Sequence, residues 1–154
     1  MLDTDGRMYT ASIESLRQHD SAEIDLDIYA LDKEINRSER DVRKKVMKHL
    51  MLSSDTQLNS GLALVSVVID IERIGDYTKN IYDLARSHPK RLKAGSLEAK
   101  LQEIEAHITE VFTHAIEAFK EGDEELARQV MEEYKEEIST DCDDMAGDVI
   151  SGKV

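Results

Sequence analysis

Cysteine is nearly absent from this sequence: Cys142 stands alone among 154 residues. A disulfide within the chain and a Cys-based zinc site are therefore excluded, and a reducing compartment is the simplest setting. Proline occurs once, tryptophan not at all, and glycine seven times, so little interrupts long helices. Long hydrophobic runs are missing too. The longest uncharged oily run, Leu62 to Ile69, falls far short of the roughly 20 residues that span a bilayer, and the first residues do not read as a signal peptide. The expectation is a cytoplasmic protein, or the soluble part of a membrane protein, with no membrane span in this chain. Positive charge is in short supply: 20 Lys and Arg face 33 Asp and Glu, for a net charge of −13. Such a field repels nucleic acid and anionic lipid, and attracts cations or basic protein surfaces. The basic cluster His88-Pro89-Lys90-Arg91-Leu92-Lys93 reads as a loop, so no nucleic-acid face is expected.

What the chain does contain is helix-forming: Glu, Lys, Leu, Ile and Ala dominate, and no strand pattern emerges. The periodicity predicts five helices, at about Arg7–Gln18, Ala22–Leu52, Thr56–Arg86, Leu97–Glu121 and Glu124–Ile150. Asp20 or Ser21 is expected to cap the second, Ser96 the fourth and Asp123 the fifth. Ser53-Ser54-Asp55 is expected to break the chain between the second and third helices. Long helices joined by short turns imply an all-α fold, an antiparallel bundle. One domain of this length buries about two thirds of its unfolded surface.

An internal repeat is expected as well. With Arg7–Asn36 set above Glu110–Ser139, Thr10 meets Thr113, Ile13 meets Ile116, Glu14 meets Glu117 and Asp20 meets Asp123. The oily positions Ile24, Ile28, Leu31 and Ile35 meet Ala127, Met131, Tyr134 and Ile138. The chain then holds one complete three-helix unit, residues 1–92, and the first two helices of a second, residues 96–154. On this reading the chain is clipped at both ends, or another copy supplies the missing helix, and a homodimer or higher oligomer is expected.

The third helix carries the most informative pattern. On a wheel of about 100° per residue, Leu58, Leu62, Val65 and Ile69 form one stripe, and Glu72, Asp76 and Asn80 continue it. The packing face thus turns from apolar to acidic halfway along, with Gly75 inside the acidic part. On the second helix Asp32, Asn36 and Glu39 edge the oily stripe. If the two helices pack antiparallel, the two acidic sets meet. Facing carboxylates must be exposed, protonated, paired with bases or bound to cations. Oxygen-only ligands suit hard ions, and Glu72-x3-Asp76 sets two carboxylates one turn apart. Arg73, Lys79, Lys33, Arg40 and Arg43 offer the competing reading, in which salt bridges neutralise the face.

Asp70-Ile71-Glu72-Arg73-Ile74-Gly75-Asp76, followed by Asn80-Ile81, resembles the signature of PhoU domains. Leu31-Asp32-Lys33-Glu34-Ile35-Asn36 with Glu39 resembles the second-helix pattern of the same family. The resemblance implies a fold of paired three-helix units. It also implies a metal ion or cluster held on carboxylates, with iron expected first and Mg, Mn, Zn or Ca as alternatives. Carried over, the acidic-x3-Asp motif falls on Glu72 and Asp76, with Asp32, Asn36 and Asn80 as further ligands. It further implies a regulator of phosphate transport and phosphate signalling rather than an enzyme. The implied partners are a phosphate transporter component, a sensor kinase, or both. The second unit departs from the pattern: Lys135 aligns with Asp32 and Ser139 with Asn36, so one site is expected.

Two other functions compete. A carboxylate-bridged di-metal oxidase requires Glu-x2-His on two helices. Leu16, Val46, Ala85, Ile104 and Val111 precede the five histidines by three residues, so none qualifies. A helical interaction module without metal predicts that Glu72 and Asp76 are dispensable.

Overall fold

The computed structural model describes residues 1–52, 57–88 and 90–152, and all regular structure among them is helical. The chain divides into two compact units, Met1–Leu92 and Lys93–Val154. In the first, α1 spans Leu2–Arg17, α2 Ile28–Leu52 and α3 Leu58–Ser87. The break expected at Ser53-Ser54-Asp55 lies outside the described residues.

The second helix begins six residues later than Ala22, where the sequence pattern places it. Asp27, not Asp20 or Ser21, supplies its cap: Asp27 Oδ1 accepts from the Ala30 amide at 2.9 Å. The reason lies upstream. Ile24 and Leu26 pack onto the core of Met8, Ile28 and Ile35, while Glu23, Asp25 and Asp27 between them stay exposed. That alternation suits an extended connection, and a helix would turn those acids into the same core. The Tyr82 hydroxyl fastens the connection by donating to the Ala22 carbonyl at 3.0 Å.

Helix α3 is the centre of the first unit and packs along both α1 and α2. Against α2 it runs antiparallel. Tyr29 bonds to Asp83, Lys79 to Asp32, and Ile35 lies against Gly75 and Leu50 against Gly61. Against α1 it runs parallel: Asp5 lies beside Gly75, and the Leu92 amide beyond the end of α3 donates to the Leu16 carbonyl at 2.7 Å. The result is an up-down-up bundle. At 1.5 Å per residue the 16 residues of α1 flank only the C-terminal half of the 30-residue α3.

In the second unit a 3₁₀ turn, Gly95–Leu97, precedes α4, Glu98–Glu121. The Glu98 carboxylate, rather than Ser96, closes this start by accepting from the Ala94 amide at 2.7 Å. Gly122 ends α4 in the left-handed region at φ 68°, which costs glycine little. Asp123 then caps α5, Glu124–Glu133, by accepting from the amides of Glu125 and Leu126. The helix expected to run on to Ile150 does so, but through a π turn at Tyr134–Ile138 that separates α5 from α6, Ser139–Ile150. The repeat comparison paired Asp20 with Asp123, yet the connections differ in form. Residues 18–27 make a long extended link, and Gly122-Asp123 makes a tight one.

Candidate metal centre

The register of α2 against α3 brings the two acidic sets together. Asp32 and Asp76 meet across the interface through Lys79, whose Nζ donates to Asp32 Oδ1 at 2.9 Å and to Asp76 Oδ1 at 2.7 Å. This ammonium is well shielded, its side chain 23 % exposed beside an Asp32 side chain 14 % exposed. Both hydrogen bonds hold its pKa above the usual lysine value. Asn36 caps the Asp32 end by donating to the Asp32 carbonyl at 3.0 Å. Asn80 is exposed.

One turn further along, the same register sets Glu39 across from Glu72. Glu39 is buried and accepts from Arg43 at 2.8 Å. Glu72 is half-buried. Burial pushes its pKa up, and repulsion from Asp76, Glu39 and Asp32 adds to the rise, with Lys79 opposing.

The third member comes from α1. Asp5 is 0 % exposed, and neither carboxylate oxygen has a hydrogen-bond partner. Burial raises its pKa to about 7, and Glu72 contributes to the rise while the N-terminal amine opposes it. Asp5 reaches this depth because residue 75 is glycine: a Cβ there would lie 2.9 Å from Asp5 Oδ1 and 3.2 Å from Ile35 Cδ1. Gly75 therefore admits the carboxylate at the helix crossing. Valine at this position is expected to lower stability by about 2 kcal/mol through overpacking, read as a drop in the denaturation midpoint.

The acidic layer thus draws on all three helices, with Asp5, Asp32, Glu39, Glu72 and Asp76; among the described residues Lys79 and Arg43 form ion pairs with it, and the N-terminal amine acts on Asp5. As the side chains stand, no three His, Cys, Asp or Glu among the described residues are grouped closely enough to hold a metal ion. The donors are nonetheless all oxygen, the negative charge exceeds the positive, and a buried carboxylate lacks any partner. Such a set suits a hard cation.

Of the five residues singled out in the sequence, the structure brings Glu72, Asp76, Asp32 and Asn36 to one interface and leaves Asn80 at its exposed edge. Asp5 escaped the sequence reading, although its spacing to Met8, Ser12 and Ser15 places it on the inward stripe of α1. All four are buried.

The first unit is thus a three-helix bundle with this acidic layer at the crossing of its helices. The family model of the PhoU domain matches residues 1–85, and the chain belongs to the PhoU domain family. No curated protein and no solved structure matches the chain. Among the described residues no helix is long and apolar enough to cross a membrane.

Proposed function

We propose that this chain is a metal-binding regulator of phosphate transport and phosphate signalling that acts through protein contacts and carries out no chemistry of its own. A transporter component, a sensor kinase, or both are its partners, and it works in the cytoplasm as a homodimer or higher oligomer. Membership of the PhoU family supports the regulatory role. The observation that carries the metal is the unpartnered, fully buried Asp5 beside Glu72. Glu72 and Asp76 would hold the ion, iron before Mg, Mn, Zn or Ca, with Asp32, Asn36 and Asn80 as further oxygen donors. A bound cation would supply the positive charge that the layer lacks.

A second reading is favoured by the Lys79 contacts at 2.7 and 2.9 Å: the lysine is itself the cation, and the domain is an interaction module without metal. Phosphate uptake in the host separates the two. Deleting the chain should change how uptake responds to external phosphate, and Glu72→Ala/Asp76→Ala should reproduce the deletion. A deletion phenotype that the double variant rescues fully would favour the module without metal. No deletion phenotype would contradict the regulatory role.

A further inference from the structure

Among the described residues, the buried side-chain atoms without a hydrogen-bond partner are both Asp5 carboxylate oxygens, Ser12 Oγ and Ser15 Oγ. All of them sit on α1, where they share the buried stripe with Met8 and Leu16. Folded proteins keep few such groups, because each gives up its bonds to water and gains none in return. Here three orphaned side chains fall within about three turns of one helix.

The facing surface offers them nothing. Helix α1 packs along α3 and only lightly on α2. Asp5 lies beside Gly75, and the parallel register then sets Met8 level with Thr78 and Ser15 level with Ala85. Gly75, Thr78 and Ala85 are all buried. Gly75 and Ala85 carry no polar side-chain atom, and the Thr78 hydroxyl donates to the Ile74 carbonyl of its own helix at 2.9 Å. Met8 and Leu16 are the buried apolar side chains that α1 brings to the bundle. A helix seated on so little apolar area and so many orphaned groups is held weakly.

The two ends of α1 are fastened differently. At its C-terminal end the Leu92 amide donates to the Leu16 carbonyl at 2.7 Å, and the Arg17 guanidinium donates to the Leu92 carbonyl. About 16 Å away along the helix, the inward polar group is Asp5, the member that α1 contributes to the acidic layer. A cation there would give the Asp5 oxygens their missing partner and tie α1 to the α3 carboxylates.

We propose that α1 is a releasable helix: a cation in the acidic layer, ligated by Asp5, clamps it onto α3, and loss of the cation lets it swing off from that end about the Leu16–Leu92 anchor. The proposal rests on the reading of the layer as a cation site, and it states how occupancy becomes a change that a protein partner reads. Swinging off returns Asp5 and Ser12 to water and uncovers α3 around Gly75 and Thr78.

Hydrogen–deuterium exchange of the full chain with and without Mn²⁺, beside calorimetric titration of the same sample, tests this. In chelator-treated protein, residues 6–16 of α1 should exchange about tenfold or more faster than residues 75–85 of α3. Mn²⁺ should slow α1 by about tenfold. Asp5→Asn should abolish that response while Glu72 and Asp76 still take up the ion. Without Mn²⁺, Ser12→Ala/Ser15→Ala should slow α1 by about tenfold. Thr10→Ala should do less, because the exposed Thr10 hydroxyl already donates to the Gly6 carbonyl. Exchange of α1 as slow as that of α3 in the chelated protein would overturn the proposal. Mn²⁺ that binds by calorimetry without slowing α1 would overturn it too, and would leave the cation site standing. Uptake of neither Mn²⁺ nor, under reducing conditions, Fe²⁺ would overturn the cation reading itself, and the clamp with it.

Discussion

Replacing Asp5 with Asn is expected to stabilise the metal-free protein above pH 7, by about 2 kcal/mol, and to leave it unchanged below pH 4. The sign follows from the shift. An unfolded Asp5 ionises near 3.8, whereas the folded carboxyl holds its proton to about 7. The folded state therefore binds more protons than the unfolded state between these values, and stability falls as pH rises through that window. Above it, wild type bears the full cost of an ionised carboxylate with no partner for either oxygen. Asparagine fills the same space without charge. Urea denaturation of both proteins at pH 4, 6 and 8 in the presence of a chelator measures the effect. Parallel stability curves would show that Asp5 is already compensated by some group in the layer.

Lys79→Met is expected to produce the second large effect, of opposite sign in two measurements. Without metal it should cost about 2 kcal/mol, because Asp32 is left largely buried beside Asp76 with no counter-charge. With a divalent ion such as Mn²⁺ present, that loss should shrink, and the ion should bind about tenfold more tightly than to wild type, since no resident ammonium has to be displaced. Calorimetric titration and thermal melting in parallel read both. A destabilised variant with unchanged ion affinity would separate the Lys79 end of the layer from any cation site.

The two experiments divide the layer by its physics. Lys79 satisfies Asp32 and Asp76 through two short contacts. Glu72 and Asp5 have no such cation and are held instead by burial with raised pKa values. A metal ion bound here would compete with a lysine at one end and with protons at the other. Cation binding is accordingly expected to strengthen as pH rises from 5 to 8, most steeply near the Asp5 value.

Much of this was legible in the sequence, for reasons that single residues show. A stripe running Leu62, Val65, Ile69, Glu72 and Asp76 can be read on one helix alone, because the 3.6-residue period fixes which side chains share a face. Gly122-Asp123 was legible because both signals, a left-handed glycine and a capping aspartate, act within a few residues. The start of α2 was not. Asp20, Ser21 and Asp27 are all competent caps, and the choice between them goes with Ile24 and Leu26 packing onto the cluster of Met8, Ile28 and Ile35, which joins two helices and is not encoded in any cap signal.

Asp5 was missed for a related reason. Its inward direction follows from the period of α1, but its burial depends on Gly75 lying opposite, seventy residues later. Lys79 was named only among several candidate partners, since a long flexible side chain does not declare which acid it will reach.

The central claim, a cation held by the acidic layer of a PhoU-family regulator, is tested most directly by metal content. Elemental mass spectrometry on untagged protein, beside Glu72→Ala/Asp76→Ala, gives the answer. The account predicts stoichiometric metal in wild type, iron before others, and its loss in the double variant with helicity retained. Wild-type protein that holds no metal even after reloading under reducing conditions would contradict it, and would leave Lys79 as the cation of this site.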